Sequence, residues 1–442
     1  MSNSSVLPAT GQTARGRKTG LSVLIICFVT IVFDGYDLVV YGSTVPSLLA
    51  HKEWQLTPAS VGSIGSLALV GMLVGTLFVG ALTDVLGRRK IMMLSIAWFS
   101  VFMLLTSLSP SVELFGLFRF LTGLGLGGVV PTCVAMTVEF APKGRRQIAN
   151  AVMYSGYSVG GVLAAVFAIM ALPQLDFRWL YAVGAIPLVT LLPIVYFMLP
   201  ESVAFLASKG RTLEAKATAE TYGLVYSDIV TESDATKHDA PSQKLTALKT
   251  LFSRGWIMAT VLFAIASFCG LLLVYGLNTW LPQIMRSAGY ELGSSLTFLL
   301  VLNAGAIVGA IGASYIADRI GVKKVVTASF IIACVSIALL SLGLPYGGLL
   351  VLVALAGLGS VGTQILVNGF VATHYPQSAT ATALGWSLGI GRFGAICGPL
   401  IGGFIASIAL GFQINFYAFA AFAVIGAVVI AAVPRPKSAL QK

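Results

Sequence analysis

The chain has 442 residues, 57% of them hydrophobic and only 10% charged, with a mean hydropathy of +0.92. A soluble domain carries about 25% charge, so this composition excludes a soluble globular protein and implies an all-α polytopic membrane protein. The net charge of +11 would suit nucleic acid, but the placement of the bases, in tails and loops between apolar runs, argues against that partner.

Residues 1–20 form a polar tail with Arg15, Arg17 and Lys18. No cleavable signal peptide is expected, because this tail is polar and the apolar run that follows is already membrane-length. Apolar segments lie near 21–45, 58–82, 90–109, 113–137, 147–171 and 178–199. A hydrophilic loop at 200–254 separates them from six more, near 256–281, 295–317, 324–343, 347–371, 381–405 and 412–433, and a basic tail at 435–442. Crossing a bilayer takes about 20 apolar residues. The expectation is twelve transmembrane helices in two six-helix bundles, 21–199 and 255–434. The five cysteines (Cys27, Cys133, Cys269, Cys334, Cys397) fall within apolar segments with no CxxC or Cys/His spacing, so no metal site or disulfide framework is expected.

The loops on the N-terminal side carry Arg88, Arg89 and Lys90; Lys143, Arg145 and Arg146; seven bases in the central loop; Arg319, Lys323 and Lys324; and Arg435, Lys437 and Lys442. The opposite loops carry Lys52, Arg178 and Arg286. The positive-inside rule then puts both termini and the central loop in the cytoplasm, as for a multi-pass inner-membrane protein.

An internal repeat supports two bundles. At an offset of 234, Tyr41-Gly42 matches Tyr275-Gly276, and Gly71, Val74 and Gly75 match Gly305, Val308 and Gly309. Asp84, Gly87, Arg89 and Lys90 match Asp318, Gly321, Lys323 and Lys324; Gly123, Gly125 and Gly128 match Gly357, Gly359 and Gly362. Both halves start on the same side, so the repeat is parallel, as in transporters that bind substrate between two halves.

Charges within the apolar segments break this symmetry. Asp34 and Asp37, three apart on one helical face with Tyr41 beyond, map to Phe268 and Leu271; Arg119 maps to Val353, and Arg392 maps back to Ser158. Intramembrane charge is costly and marks function. Asp34 and Asp37 are the candidates to carry a coupling proton, with Arg119 as counter-ion to one of them. Arg392 follows Gly385 and Gly389 on its helical stripe. The glycines leave room beside a guanidinium whose fork suits a carboxylate, so Arg392 is the candidate substrate clamp. Tyr41, Tyr275, Trp280 and Trp386 are candidate ring surfaces, with Trp280 near a helix end and so assigned to the interfacial belt. Asn278, Asn303, Gln364 and Asn368 can bond a ring hydroxyl or hold helices together.

The stretch Gly80-Ala-Leu-Thr-Asp-Val-Leu-Gly-Arg-Arg-Lys90, with its degenerate copy from Ala317 to Lys324, resembles the signature loop of the major facilitator superfamily. Asp34-Gly-Tyr-Asp37 resembles the signature of its aromatic acid/proton symporters. So do Gly123–Arg146, with Pro131, Glu139 and Arg145-Arg146, and Gly385–Gly394 around Arg392. The resemblance runs from the first segment to the last. It implies a major facilitator fold and a monomeric secondary transporter embedded in lipid, taking up benzoate, a hydroxybenzoate or protocatechuate with protons. No cofactor is implied; a proton gradient is the drive. It adds Glu139 and Arg119 to the proton-coupling set, and a gating set of Gly80, Asp84, Gly87, Arg88, Arg89, Arg145, Arg146 and Asp318. The family often has an arginine where Thr380 stands.

Other readings are a transporter of another organic anion, a drug/proton antiporter, a membrane enzyme and a non-transporting sensor. The antiporter motif's proline is missing from Gly156–Ala165, and no nucleophile, metal cluster or interfacial acid pair suggests an enzyme.

Overall fold

The computed structural model describes residues 20–142, 144–229, 240–408 and 411–434. The tails expected at 1–20 and 435–442 lie outside the described residues, Gly20 excepted. Among the described residues no strand occurs, and twelve helices are long and apolar enough to cross a membrane. The first six are Leu21–Ala50, Pro58–Gly80, Arg88–Ser107, Val112–Phe140, Ile148–Ala171 and Arg178–Met198. The second six are Ile257–Ser287, Leu292–Ile320, Val322–Leu339, Tyr346–His374, Ala379–Ser407 and Phe412–Ala432.

Several helices outrun their apolar segments. The first continues through Pro46 to Ala50, and the seventh through Pro282 to Ser287. Packed neighbours let a membrane helix tolerate an internal proline. The second starts on a capping box at Thr57 and Ser60, with Pro58 in the first turn, where a missing N–H costs nothing. It ends at Gly87, whose φ of 89° turns the chain directly into the third span; Gly321, its repeat partner, does the same at φ 97°. Only glycine adopts that backbone freely.

Two spans are interrupted at matching places. The fourth breaks at Gly127 and Gly128, and the Gly127 carbonyl accepts a bond from Thr76 Oγ1 at 3.0 Å. The tenth opens into a π-turn at Leu358–Gly362, which the 234-residue offset aligns with Leu124–Gly128. The glycines of the fourth span also admit a close neighbour. A Cβ on Gly123 would meet the Ala68 backbone, and one on Gly71 or Gly75 would meet the backbone of Phe120 or Leu124.

Within each half, the first span packs on the fifth and the seventh on the eleventh. The halves meet through first against seventh, second against eleventh, and fifth against eighth. These meetings are tight on the face away from the basic loops. Gly42 lies against Asn278 and Thr279, Gly62 against Pro399 and Gly403, and Ser66 Oγ donates to the Ile396 carbonyl at 2.7 Å. Toward the basic loops the packing is loose: a Cβ added at Gly80, Gly385 or Gly389 would meet nothing within 4 Å. The halves are therefore packed together on the face away from the basic loops, with open space beside Gly385 and Gly389 on the other.

The central loop folds into helices Val203–Ser208, Thr212–Tyr222 and Ala240–Leu251. Val203, Leu206, Ala215, Ala219 and Ile229 form a small apolar cluster of their own.

Candidate functional site

A cavity of about 190 Å³ lies between the halves. The first half contributes Asp34, Tyr154 and Tyr157; the second contributes Tyr275, Gln364, Asn368 and Arg392. Its size is on the order of the ~150 Å³ that holds one benzene ring in an engineered apolar cavity. Tyr157 and Tyr275 meet edge to face across it, with ring centroids 6.5 Å apart. Tyr154, 39% exposed, marks its opening toward the basic face.

Asp34 and Arg392 face the same space from opposite halves, close enough to interact electrostatically, yet they form no ion pair among the described residues. Asp34 is 3% exposed and its Oδ1 is buried with no donor. Shutting an ionised oxygen away from any donor is costly. Arg392 is half-buried; its Nη1 lies 2.9 Å from Met72 Sδ, and it lines the cavity together with Tyr275. A thioether is a weak acceptor, so the fork remains available to a carboxylate.

The other buried arginine is already partnered. Arg119 is ion-paired with Asp37, each about 1% exposed, and its guanidinium lies over Tyr41 at 5.4 Å and Tyr181 at 5.7 Å. The sequence left open which acid Arg119 serves; in the structure it is Asp37. The two acids therefore divide, Asp34 lining the cavity and Asp37 lying behind it.

Several expected lining residues lie elsewhere. Tyr41 donates to the Val61 carbonyl and stacks on Arg119, outside the cavity. Trp386 is 37% exposed and packs edge-on against Phe252. Asn278 donates to the Val274 carbonyl at 2.7 Å and accepts from Asn303 at 2.9 Å, so it joins helices instead. Trp280 is no belt residue: it is 0% exposed and donates to the Pro399 carbonyl at 2.9 Å. Tyr275, Gln364 and Asn368 do line the cavity, and Gln364 Nε2 donates to Asn368 Oδ1 at 3.2 Å. Tyr154 and Tyr157 escaped the sequence reading, because Tyr-x-x-Tyr on an apolar helix looks like ordinary packing.

Glu139 stands apart from the cavity, at the basic face. It accepts from Arg88, from Ser202 Oγ at 2.6 Å and from Val203 N at 2.5 Å. Beside it, Glu201 Oε1 accepts from the backbone N–H of Arg88 at 2.9 Å and of Arg89 at 3.1 Å, satisfying the start of the third span. Arg89 donates to the Tyr196 carbonyl. The role of Glu201 was missed, although Pro200-Glu201-Ser202 is visible in the sequence. Arg145 and Asp318 are exposed, Arg146 is half-buried, and Gly80 faces open space. The Asp84 side chain lies outside the described residues. Thr380 Oγ1 donates only locally, to the Pro376 carbonyl at 3.1 Å.

The arrangement has a family. The model of the Major Facilitator Superfamily matches residues 27–386 and 303–442. The benzoate transport protein of Acinetobacter baylyi is 36% identical over 419 residues, covering 92% of this chain and 88% of the relative. The gentisate transporter of Corynebacterium glutamicum is 37% identical over 423 residues, covering 95% and 88%. The inward-open xylose transporter of Escherichia coli superposes with a TM-score of 0.76 at 14% identity, covering 95% of this chain and 97% of that one. This chain belongs to the major facilitator superfamily, in the branch that holds these aromatic acid transporters, and is a membrane transporter and not an enzyme.

Proposed function

We propose that the protein imports a single-ring aromatic carboxylate together with protons, by alternating access of the central cavity. The observation that carries this reading is the pair of charges lining it: a buried acid, Asp34, whose Oδ1 has no donor, and a forked base, Arg392, with no ion-paired acid among the described residues. Arg392 binds the carboxylate and Asp34 carries the coupling proton. Tyr154, Tyr157 and Tyr275 supply the ring surfaces, and Gln364 and Asn368 supply polar contacts to ring substituents. The names of the relatives support a ring acid as the cargo.

Proton coupling follows from the energetics. Moving an anion toward a negative interior is opposed by about 2.3 kcal/mol per charge per 100 mV. One proton moving with each monoanion removes that opposition, so the ligand travels ionised and needs a fixed cation where it binds. The basic loops face the cytoplasm of an inner membrane, so the open face is the release side. The Gly80–Lys90 loop, with Asp84, Gly87, Arg88 and Arg89, and its copy at Asp318 act with Arg145 and Arg146 in gating. Residues of one chain supply both walls of the cavity, so a monomer suffices as the working unit.

The test is uptake of radiolabelled benzoate, 4-hydroxybenzoate and gentisate into vesicles holding the purified protein. Accumulation should follow an inward proton gradient and collapse when a protonophore is added. Equal accumulation with and without the gradient would exclude proton coupling.

A further inference from the structure

On the outside of the second half, away from the central cavity, the eighth, ninth and tenth spans leave a groove of about 640 Å³. Gly309, Gly312, Ile316, Ala328 and Leu358 line it, almost entirely with apolar atoms. Glycines cause it. The eighth span carries Gly305, Gly309 and Gly312 on one stripe. The first two are covered by Ala354 and Leu358 of the tenth span, but Gly312 has nothing within 4 Å of where a side chain would start. At Ile320 and Ala328 the groove runs on into a recess of about 660 Å³ that holds Lys323 and Lys324.

Inside a bilayer such a groove is filled by an acyl chain, since no water is available there. The recess at its end adds a charge requirement. Lys324 is exposed, and Lys323 uses one N–H on the Val433 carbonyl at 2.6 Å, keeping two. The sequence beyond Pro434 carries Arg435 and Lys437, of the same sign as the lysines. A second copy of this surface would bring the same lysines.

We propose that this groove seats one anionic glycerophospholipid from the leaflet at the basic face, its tail against Gly312 and its phosphate on Lys324 and Lys323. Basic pockets between membrane helices bind anionic headgroups in this way. Leu358, at one end of the π-turn of the tenth span, lines the groove, and Val361, near the other end, lines the central cavity. A tail in the groove therefore supports the wall of the cavity from behind.

The experiment is native mass spectrometry of the full-length protein during stepwise delipidation, with phosphatidylglycerol or phosphatidylcholine of identical chains as probes. Wild type should keep one phosphatidylglycerol after phosphatidylcholine has been stripped. Lys324→Gln should weaken phosphatidylglycerol retention about fivefold and leave phosphatidylcholine unchanged. Gly312→Leu, which fills the groove, should lower retention of both lipids while melting in lipid-free detergent no lower than wild type. Equal retention of the two lipids by wild type, unchanged phosphatidylglycerol retention in both variants, or a protein dimer without bound lipid would overturn the proposal.

Discussion

Arg392 and Arg119 have the same chemistry and opposite surroundings. A guanidinium at bilayer depth costs about 2.5–3.5 kcal/mol on insertion scales, so each needs a reason to be there. Arg119 has one inside the fold, the Asp37 carboxylate and two tyrosine rings. Removing one partner of a buried pair costs about 3–5 kcal/mol, because the other charge is left alone. Arg119→Leu should therefore lower the melting temperature in detergent sharply, and Arg119→Leu with Asp37→Leu should regain most of the loss. Among the described residues Arg392 has a thioether as hydrogen-bond partner and no ion pair, so Arg392→Ala should melt close to wild type but lose its ligand. Binding of benzoate against benzamide to wild type and Arg392→Ala reads this out: wild type prefers the acid, and the variant should prefer neither. Arg392→Lys keeps the charge without the fork, and should bind benzoate weakly. Both arginines were legible in the sequence because charge in an apolar run is conspicuous. Tyr41, Trp280, Trp386 and Asn278 were harder, since a span that is apolar all round gives no period to tell which face meets the cavity.

At the scale of elements, the glycines decide where spans can touch and turn. The sequence shows Gly123, Gly125 and Gly128 repeated at Gly357, Gly359 and Gly362, but a list of glycines does not reveal that both spans are interrupted there. Nor does it reveal that Thr76 of another span takes up the Gly127 carbonyl. Glu139 makes the same point. Family resemblance grouped it with the coupling acids, whereas the structure engages its carboxylate with Arg88, Ser202 and the first turn of Val203–Ser208. Its bonds hold the third span to the central loop. Glu139→Gln should therefore lower thermal stability by about 1–3 kcal/mol, the cost of weakening bonds to a charged group. The ratio of gradient-driven uptake to exchange should stay at the wild-type value. A fall in that ratio, measured in vesicles, would return Glu139 to the coupling set.

For the whole molecule, twelve spans in two halves could be read from hydropathy and the 234-residue repeat. Which face is closed could not, because one sequence must serve both states and the two differ only in how the halves meet. The structure seals one face at Gly42 with Asn278 and at Gly62 with Gly403, and leaves the basic face open beside Gly385 and Gly389. The central claim is that one cavity between these halves holds a proton on Asp34 and a carboxylate on Arg392. Without an acid at position 34, the halves can still exchange substrate, but no proton is obliged to move with it. The measurement is uptake into vesicles of wild type and Asp34→Asn, once as counterflow against preloaded benzoate with no gradient, and once as accumulation driven by an inward proton gradient. The account predicts that Asp34→Asn retains counterflow and loses accumulation. Accumulation at the wild-type level in Asp34→Asn would contradict it.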